Sequence, residues 1–188
     1  MMMSGLGLNL PNLISLARLL LVPLEIWLIL AGGYGPAFLV LVAAGISDAL
    51  DGFIAKRFDR RTRLGAVLDP VADKAMLISV YVTLGVAHQL WTWLVILVLF
   101  RDVLIVGGFL LIQMFAAAKH YDPLYISKLN TGAQIILVGF VLARLSVGGA
   151  PGWADLVLSL IVAATTIASG LSYLVRWARI LARSEQAL

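Results

Sequence analysis

The sequence contains no cysteine and only 13% charged residues, and each shortage excludes a kind of protein. Without cysteine the chain forms no disulfides and performs no thiol chemistry. Soluble domains carry roughly 25% charged and about 45–50% apolar residues, whereas 62% of these 188 residues are hydrophobic. A single soluble core cannot bury so much apolar surface, so the composition predicts an integral membrane protein.

Positive charge is scarce inside the apolar runs and is concentrated at their ends, although the formal net charge is +4. This distribution is typical of a membrane surface with anionic lipids, so we expect anionic lipid partners and no nucleic acid. The N-terminal segment lacks the basic start of a signal peptide and is followed by further apolar runs. We therefore expect it to be retained.

Six apolar runs are long enough to cross a bilayer as helices, which takes about 20 residues each. They cover residues 13–32, 36–56, 69–87, 91–117, 128–147 and 153–180. Glycine and proline at 32–36 and 148–152 predict turns, and residues 8–12 predict a short interfacial stretch in which Pro11 suits a first helical turn. We predict an all-α membrane protein with six transmembrane helices and a short N-terminal interfacial segment. Residues 1–188 are expected to form one domain.

The basic residues predict the orientation of these six spans. They cluster at residues 56–63, 119–123 and 176–183. Successive clusters are separated by an even number of spans, so all three lie on the same side of the membrane. The opposite connections, near residues 33, 89 and 149, contain no Lys or Arg. By the positive-inside rule, both termini and the basic connections face the cytoplasm.

Four aspartates lie at the ends of two consecutive apolar runs. Asp48 and Asp51 close the second run, and Asp69 and Asp73 open the third. Residues three or four apart share one face of a helix, so each pair forms a stripe. Residues 57–64 return the chain, which allows the two stripes to face each other.

The negative charge of such carboxylates has to be neutralised, because a buried charge in a membrane costs roughly 2.5–3.5 kcal/mol on insertion scales. Protonation, a salt bridge with Lys74 or Arg57, and bound divalent cations are three ways to provide it. Oxygen ligands with no His or Cys nearby favour a hard ion such as Mg²⁺ or Mn²⁺. Four carboxylates are enough for two such ions.

Small residues accompany the aspartates at regular positions. The pattern resembles the signature of the CDP-alcohol phosphatidyltransferases, and it reads Asp48-x-x-Asp51-Gly52-x-x-Ala55-Lys56, eight residues, Gly65-x-x-x-Asp69-x-x-x-Asp73. The family often has Arg in place of Lys56. Lysine keeps the positive charge but lacks the forked geometry of a guanidinium.

The resemblance implies that an alcohol attacks the phosphorus of a CDP-linked lipid and that CMP is released. It implies that Asp48, Asp51 and Asp69 bind two divalent cations, with Asp73 sharing the second ion and acting as the general base. It also implies a homodimer. Contacts with the CDP-lipid are expected from Asn12, Arg18, Gly52, Ala55, Lys56 and Gly65. For Asn12 and Arg18, interfacial anchoring is an equal alternative.

The acceptor alcohol has to be read from other residues. Arg101-Asp102 in the fourth run and residues 126–134 at the start of the fifth resemble the cardiolipin synthases of this family. The related phosphatidylglycerophosphate synthases usually show Arg-Glu and Gly-Lys-x-Lys-Thr there, and Asn130 takes the place of the second Lys. The expected acceptor-binding residues are Arg63, Arg101, Asp102, Lys128 and Asn130. An internal ion pair for Arg101-Asp102 and a snorkelling role for Lys128 remain open.

These residues predict transfer from CDP-diacylglycerol to phosphatidylglycerol, which yields cardiolipin and CMP. Glycerol 3-phosphate carries more negative charge than phosphatidylglycerol, so a neutral Asn130 favours the latter acceptor. A phosphatidylglycerophosphate synthase is the alternative. A membrane cation transporter is an alternative of another class, but the carboxylates cluster near one face and the outer halves of the spans are mostly apolar. The expected location is a bacterial inner membrane or a mitochondrial inner membrane, with the active site on the cytoplasmic or matrix face.

Overall fold

The structure is a computed structural model that describes residues 10–58, 65–116 and 124–185, with side chains described for 16–47, 72, 74–108 and 124–179. In this part of the chain there are six helices and no strand. The helices are α1 (Leu10–Leu30), α2 (Tyr34–Phe58), α3 (Gly65–Val86), α4 (Thr92–Ala116), α5 (Tyr125–Ser146) and α6 (Trp153–Glu185). The predicted all-α class is thus confirmed for these residues.

Each helix coincides with one predicted apolar run, with shifted ends. Helix α3 begins at Gly65, so Asp69 and Asp73 lie within regular helix rather than at its start. Leu10–Asn12 of the expected interfacial stretch continue directly into α1, while residues 8 and 9 lie outside the described residues. Where side chains are described, two helical stretches are long and apolar enough to cross a membrane, Tyr125–Ser146 and Trp153–Arg179.

Helices α1, α3 and α5 end in the same way. The second residue after the helix adopts a left-handed conformation, with φ of 76° at Gly32, 55° at His88 and 69° at Gly148. In each case the amide of the following residue donates to the carbonyl five residues earlier, as in Gly33 N to Leu28 O at 2.8 Å. This is the Schellman arrangement, and it satisfies carbonyls that the helix end leaves open. The turns predicted at 32–36 and 148–152 begin with it.

The chain divides into two compact units. The first contains α1, α2, α3 and residues 138–146 of α5. Helix α1 packs against both α2 and α3. The interior of this unit is mainly apolar and includes Ile29, Ala37, Val80, Tyr81 and Leu84.

The second unit contains α4, residues 125–137 of α5, and α6, with α4 packed against α6. Leu94, Val98 and Leu137 are buried in it. Polar side chains are buried as well, and this set comprises Arg101, Asp102, Asn130, Gln134, Asp155, Ser159, Thr166 and Ser169. Because nothing inside a bilayer replaces lost water hydrogen bonds, such groups need partners on neighbouring helices.

Candidate functional site

The four aspartates lie on two helices of the first unit. Asp48 and Asp51 belong to α2, and Asp69 and Asp73 belong to α3. Their spacings of three and four residues put each pair on one helical face. Both helices pack against α1, which holds them in one unit. The aspartate side chains lie outside the described set.

The donor chemistry of this quartet suits hard divalent cations, since it offers carboxylate oxygens only. Elsewhere, among the side chains that the structure describes, no three His, Asp or Glu residues group closely enough to hold a metal ion. Arg18 lies on α1, the helix that packs against both α2 and α3, and it is buried, at 4% exposure. It is the one predicted CDP-lipid residue whose side chain is described.

The other expected CDP-lipid residues have described backbones alone. Asn12 lies in the first turn of α1, Gly52, Ala55 and Lys56 lie in α2, and Gly65 is the first residue of α3. Arg63 falls outside the described residues altogether. Their assignment to the CDP-lipid or the acceptor therefore stays a prediction.

In the second unit, Arg101 lies at the centre of a buried cluster. Its Nη1 donates to Asp102 Oδ1 at 2.6 Å, an ion pair whose side chains are 3% and 6% exposed. Its Nη2 donates to Ser127 Oγ on α5 and to Ser169 Oγ on α6, the latter at 2.6 Å. The Nε group also donates to Ser169 Oγ, at 3.2 Å. One guanidinium thus connects three helices.

Asn130 lies one turn further along α5 and is completely buried. Its Oδ1 accepts hydrogen bonds from the hydroxyls of Thr165 and Thr166 on α6, each at 2.9 Å. Its Nδ2 group has no hydrogen-bond partner within the described structure. The side-chain amide of Asn130 is therefore hydrogen-bonded to α6 through its oxygen.

The structure brings some predicted acceptor residues together and separates others. Arg101 and Asp102 pair directly, and Asn130 lies on the same buried face of α5 as Ser127 and Gln134. Lys128 is exposed on a different face of that helix.

The sequence reasoning did not single out the partners on α6, Thr165, Thr166 and Ser169. Ser159, Thr166 and Ser169 recur at spacings of seven and three, which place them on one helical face. That spacing is a signal that could have identified this part of α6 as a polar face.

Glu25 on α1 is a second feature that the sequence reasoning passed over. It is fully buried, at 0% exposure. Neither carboxyl oxygen has a hydrogen-bond partner within the part of the chain described here. An ionisable group in this position is unusual, because buried carboxyls in proteins are normally paired or hydrogen-bonded.

Comparison with known proteins gives a consistent family. Residues 8–180 match the family model described as CDP-alcohol phosphatidyltransferase. The chain is 35% identical to the CDP-diacylglycerol–glycerol-3-phosphate 3-phosphatidyltransferase 1, chloroplastic, of Oryza sativa subsp. japonica, over 92% of this chain and 58% of that protein. It is 33% identical to the cardiolipin synthase (CMP-forming) of Homo sapiens, over 88% of this chain and 60% of that protein.

The match to a bacterial relative covers a larger share of that protein's length. The cardiolipin synthase (CMP-forming) of Streptomyces coelicolor is 36% identical, over 78% of this chain and 68% of that protein. The chain spans less than two thirds of the plant and human proteins. The name of the rice protein gives glycerol 3-phosphate, and the other two names give cardiolipin as the product, so similarity alone leaves the acceptor open.

Proposed function

Since the chain belongs to the CDP-alcohol phosphatidyltransferase family, and is thus a phosphatidyltransferase enzyme, we propose that it makes cardiolipin. The donor is CDP-diacylglycerol and the acceptor is phosphatidylglycerol. The observation that carries the acceptor assignment is Asn130, a neutral side chain buried between α5 and α6. The cardiolipin synthase relatives from human and Streptomyces support the same assignment.

The reaction joins two lipids through one phosphate. The free glycerol hydroxyl of phosphatidylglycerol attacks the phosphorus that carries the diacylglycerol, and a new P–O bond forms. The P–O bond to CMP breaks, and CMP leaves with the electron pair. Asp73 accepts the proton of the attacking hydroxyl, which is the role of a general base.

Asp48, Asp51 and Asp69 would hold two divalent cations, Mg²⁺ or Mn²⁺, with Asp73 sharing the second ion. When bound, the ions supply charge neutralisation for the diphosphate and for the leaving CMP. The pairing of the four carboxylates on α2 and α3 supports this assignment.

The CDP-lipid would be bound by residues of the first unit. Gly52, Ala55 and Gly65 leave space for the nucleotide next to the backbone, and Asn12, Arg18 and Lys56 provide polar contacts. The place of Arg18 supports this proposal, because it is buried on α1, the helix that packs against both α2 and α3.

The acceptor site would be formed by Arg63, Arg101, Asp102, Lys128 and Asn130, through direct contact or through support of the contacting residues. A second lysine at position 130 would bring a charge to a completely buried position, whereas an amide brings none. Glycerol 3-phosphate benefits from that extra cation and phosphatidylglycerol does not need it. The rice relative, whose name specifies glycerol 3-phosphate, keeps phosphatidylglycerophosphate synthesis as the second candidate.

We further propose six membrane spans with both termini and the active site on the cytoplasmic or matrix face, and a homodimer. Exposed tryptophans support the spans, because this residue favours membrane interfaces. Trp27 lies in the last turns of α1, Trp91 and Trp93 at the start of α4, and Trp153 at the start of α6. These are the helix ends predicted to face away from the aspartates.

The test is acceptor specificity with purified protein, CDP-diacylglycerol and Mg²⁺ or Mn²⁺. We expect phosphatidylglycerol to stimulate CMP release and mass spectrometry to detect cardiolipin. If glycerol 3-phosphate stimulates release and phosphatidylglycerol does not, the second candidate is correct. If neither acceptor releases CMP from a folded, metal-loaded protein, the enzyme proposal fails.

A further inference from the structure

Helix α5 is connected to its neighbours in the second unit by three polar contacts in sequence. We propose that these contacts, here called the polar ladder, fix the rotation of α5 so that Lys128 is presented to the anionic acceptor. The ladder consists of Leu124 with Tyr173, Ser127 with Ser169 through Arg101, and Asn130 with Thr165 and Thr166. This inference rests on the proposed function in giving Lys128 an acceptor role.

The contacts advance regularly along both helices. On α5 and the residue before it they occur at positions 124, 127 and 130, three residues apart. On α6 they occur in descending order, at Tyr173, Ser169 and Thr166. This order is expected of two antiparallel helices whose polar faces meet, so the ladder defines which face of α5 is turned toward α6.

The middle contact depends on Arg101, most of whose N–H groups donate within the protein. Nε and Nη2 are bonded to serine hydroxyls, and Nη1 is bonded to Asp102, which also neutralises the guanidinium charge. A guanidinium that is neutralised and hydrogen-bonded in this way has little free charge and few free N–H groups with which to bind a substrate phosphate. Arg101 is therefore a positioning residue that acts through Ser127, and Ser169 is the residue that holds Arg101.

The hydrogen bond between Arg101 and Ser127 affects Lys128 because the two α5 residues are adjacent in the sequence. Helix α5 begins at Tyr125, so Ser127 lies in its first turn, where helices fray most readily. Turning Ser127 inward places Lys128 about 100° further round the helix. The exposure of Lys128 and Leu129 agrees with that rotation.

Hydrophobic burial by itself specifies this rotation poorly. Lipid tails are as apolar as leucine, so no hydrophobic force selects one face of a membrane helix over another. Hydrogen bonds between helices make that selection, because an unpaired hydroxyl or amide in the bilayer is costly. In α5 the Ser127 hydroxyl and the Asn130 amide form hydrogen bonds of this kind with neighbouring helices.

The kinetic test uses Ser127→Ala and Ser169→Ala, which remove one hydroxyl each. Loss of a hydrogen bond to a charged group is expected to raise the KM for phosphatidylglycerol roughly tenfold. The KM for CDP-diacylglycerol should change much less, because the residues proposed to bind that substrate belong to the first unit. Ser127→Thr restores a hydroxyl and should restore most of the acceptor KM.

Ser172→Ala is the matched control on the same helix. The Ser172 hydroxyl donates to Ala168 O of its own helix at 2.7 Å and takes no part in the ladder. It should leave both KM values unchanged. The inference is overturned if Ser169→Ala behaves like Ser172→Ala, or if it raises the KM of both substrates equally.

A structural readout separates this inference from the proposed function. Because the chain has no cysteine, spin labels can be attached at Leu129→Cys on α5 and Leu174→Cys on α6, both exposed residues of the second unit. The distance between the labels, measured in lipid nanodiscs by pulsed electron paramagnetic resonance, should shift or broaden when Ser127→Ala and Ser169→Ala are combined. Ser172→Ala should leave it unchanged.

The two readouts fail in different ways. If the unsubstituted protein transfers to no acceptor but the label distance still shifts in the double variant, the proposed function fails and the ladder stands. If the acceptor KM rises while the distance stays as it was, the serines contact the acceptor directly and the positioning role is wrong.

Discussion

The indole ring of Trp177 on α6 lies directly over the backbone of Gly108 on α4, where a methyl group would overlap the ring. Trp177 also packs against Tyr173, with ring centroids 5.7 Å apart. The Tyr173 hydroxyl accepts the hydrogen bond from Leu124 N that begins the polar ladder. Because Gly108 has no side chain, Trp177 can pack against α4 and against Tyr173. Tyr173 in turn is hydrogen-bonded to Leu124, next to the start of α5.

Gly108→Ala should destabilise the protein by about 1–3 kcal/mol, because added volume at a close contact forces neighbours to move. The adjacent Gly107 is the control, since a methyl group there would meet no atom within 4 Å. Thermal unfolding in detergent should show a lower midpoint for Gly108→Ala than for Gly107→Ala. Equal midpoints would mean that Trp177 moves aside without cost.

His88→Gly should stabilise the protein by roughly 1 kcal/mol, because a residue with a side chain is strained at positive φ and glycine is not. His88 ends α3 at a φ of 55°, in the position that glycine occupies at the ends of α1 and α5. Gly32→Ala is the opposite change at the equivalent position of α1, and it should lower the unfolding midpoint. A fall in the midpoint of His88→Gly would show that the imidazole makes a contact worth more than the strain.

Glu25→Leu should stabilise the protein by about 1–3 kcal/mol, the usual cost of leaving a buried polar group without a partner. The side chain is fully buried in α1 and neither oxygen is hydrogen-bonded within the described structure. CMP release should stay near the level of the unsubstituted protein. If Glu25→Leu and the milder Glu25→Gln both abolish CMP release while the protein stays folded, the carboxyl has a chemical role.

Asp73→Asn should lower kcat by about 10²–10⁴-fold, the usual contribution of a general base. A chelator should abolish CMP release in the unsubstituted protein, and added Mg²⁺ or Mn²⁺ should restore it. Size-exclusion chromatography and thermal unfolding establish that the variant is folded. Transfer by Asp73→Asn at the unsubstituted rate would remove this residue from the proton-transfer step.

Asn130→Lys should raise the rate with glycerol 3-phosphate relative to the rate with phosphatidylglycerol, because it adds a cation next to the proposed acceptor site. Asn130→Gln is the control, since it keeps a neutral amide at the same position. The ratio of the two products, measured by mass spectrometry, is the quantity compared. An unchanged ratio in a folded Asn130→Lys variant would show that position 130 does not select the acceptor.

The number and type of elements could be predicted from the sequence because their causes are local. Long apolar runs need helices to satisfy the backbone in a bilayer, and the glycines at 32 and 148 mark where two of those helices end. The end of α3 was also predicted within a residue or two, but the left-handed conformation of His88 was less apparent, because residues other than glycine seldom adopt it. The spacing of Asp48, Asp51, Asp69 and Asp73 could also be read directly, since a helix repeats on a fixed period.

The sequence by itself therefore determined that the described chain is helical, where most of its helices end, and which carboxylates lie together on two of them. The tertiary structure decided which face of α5 is turned inward and which residues it meets there. Arg101, Ser127 and Ser169 lie on three different helices, and α5 and α6 are long apolar helices with few polar residues. Spacing along one helix can indicate a polar face, but only the folded arrangement shows which polar residues of different helices meet.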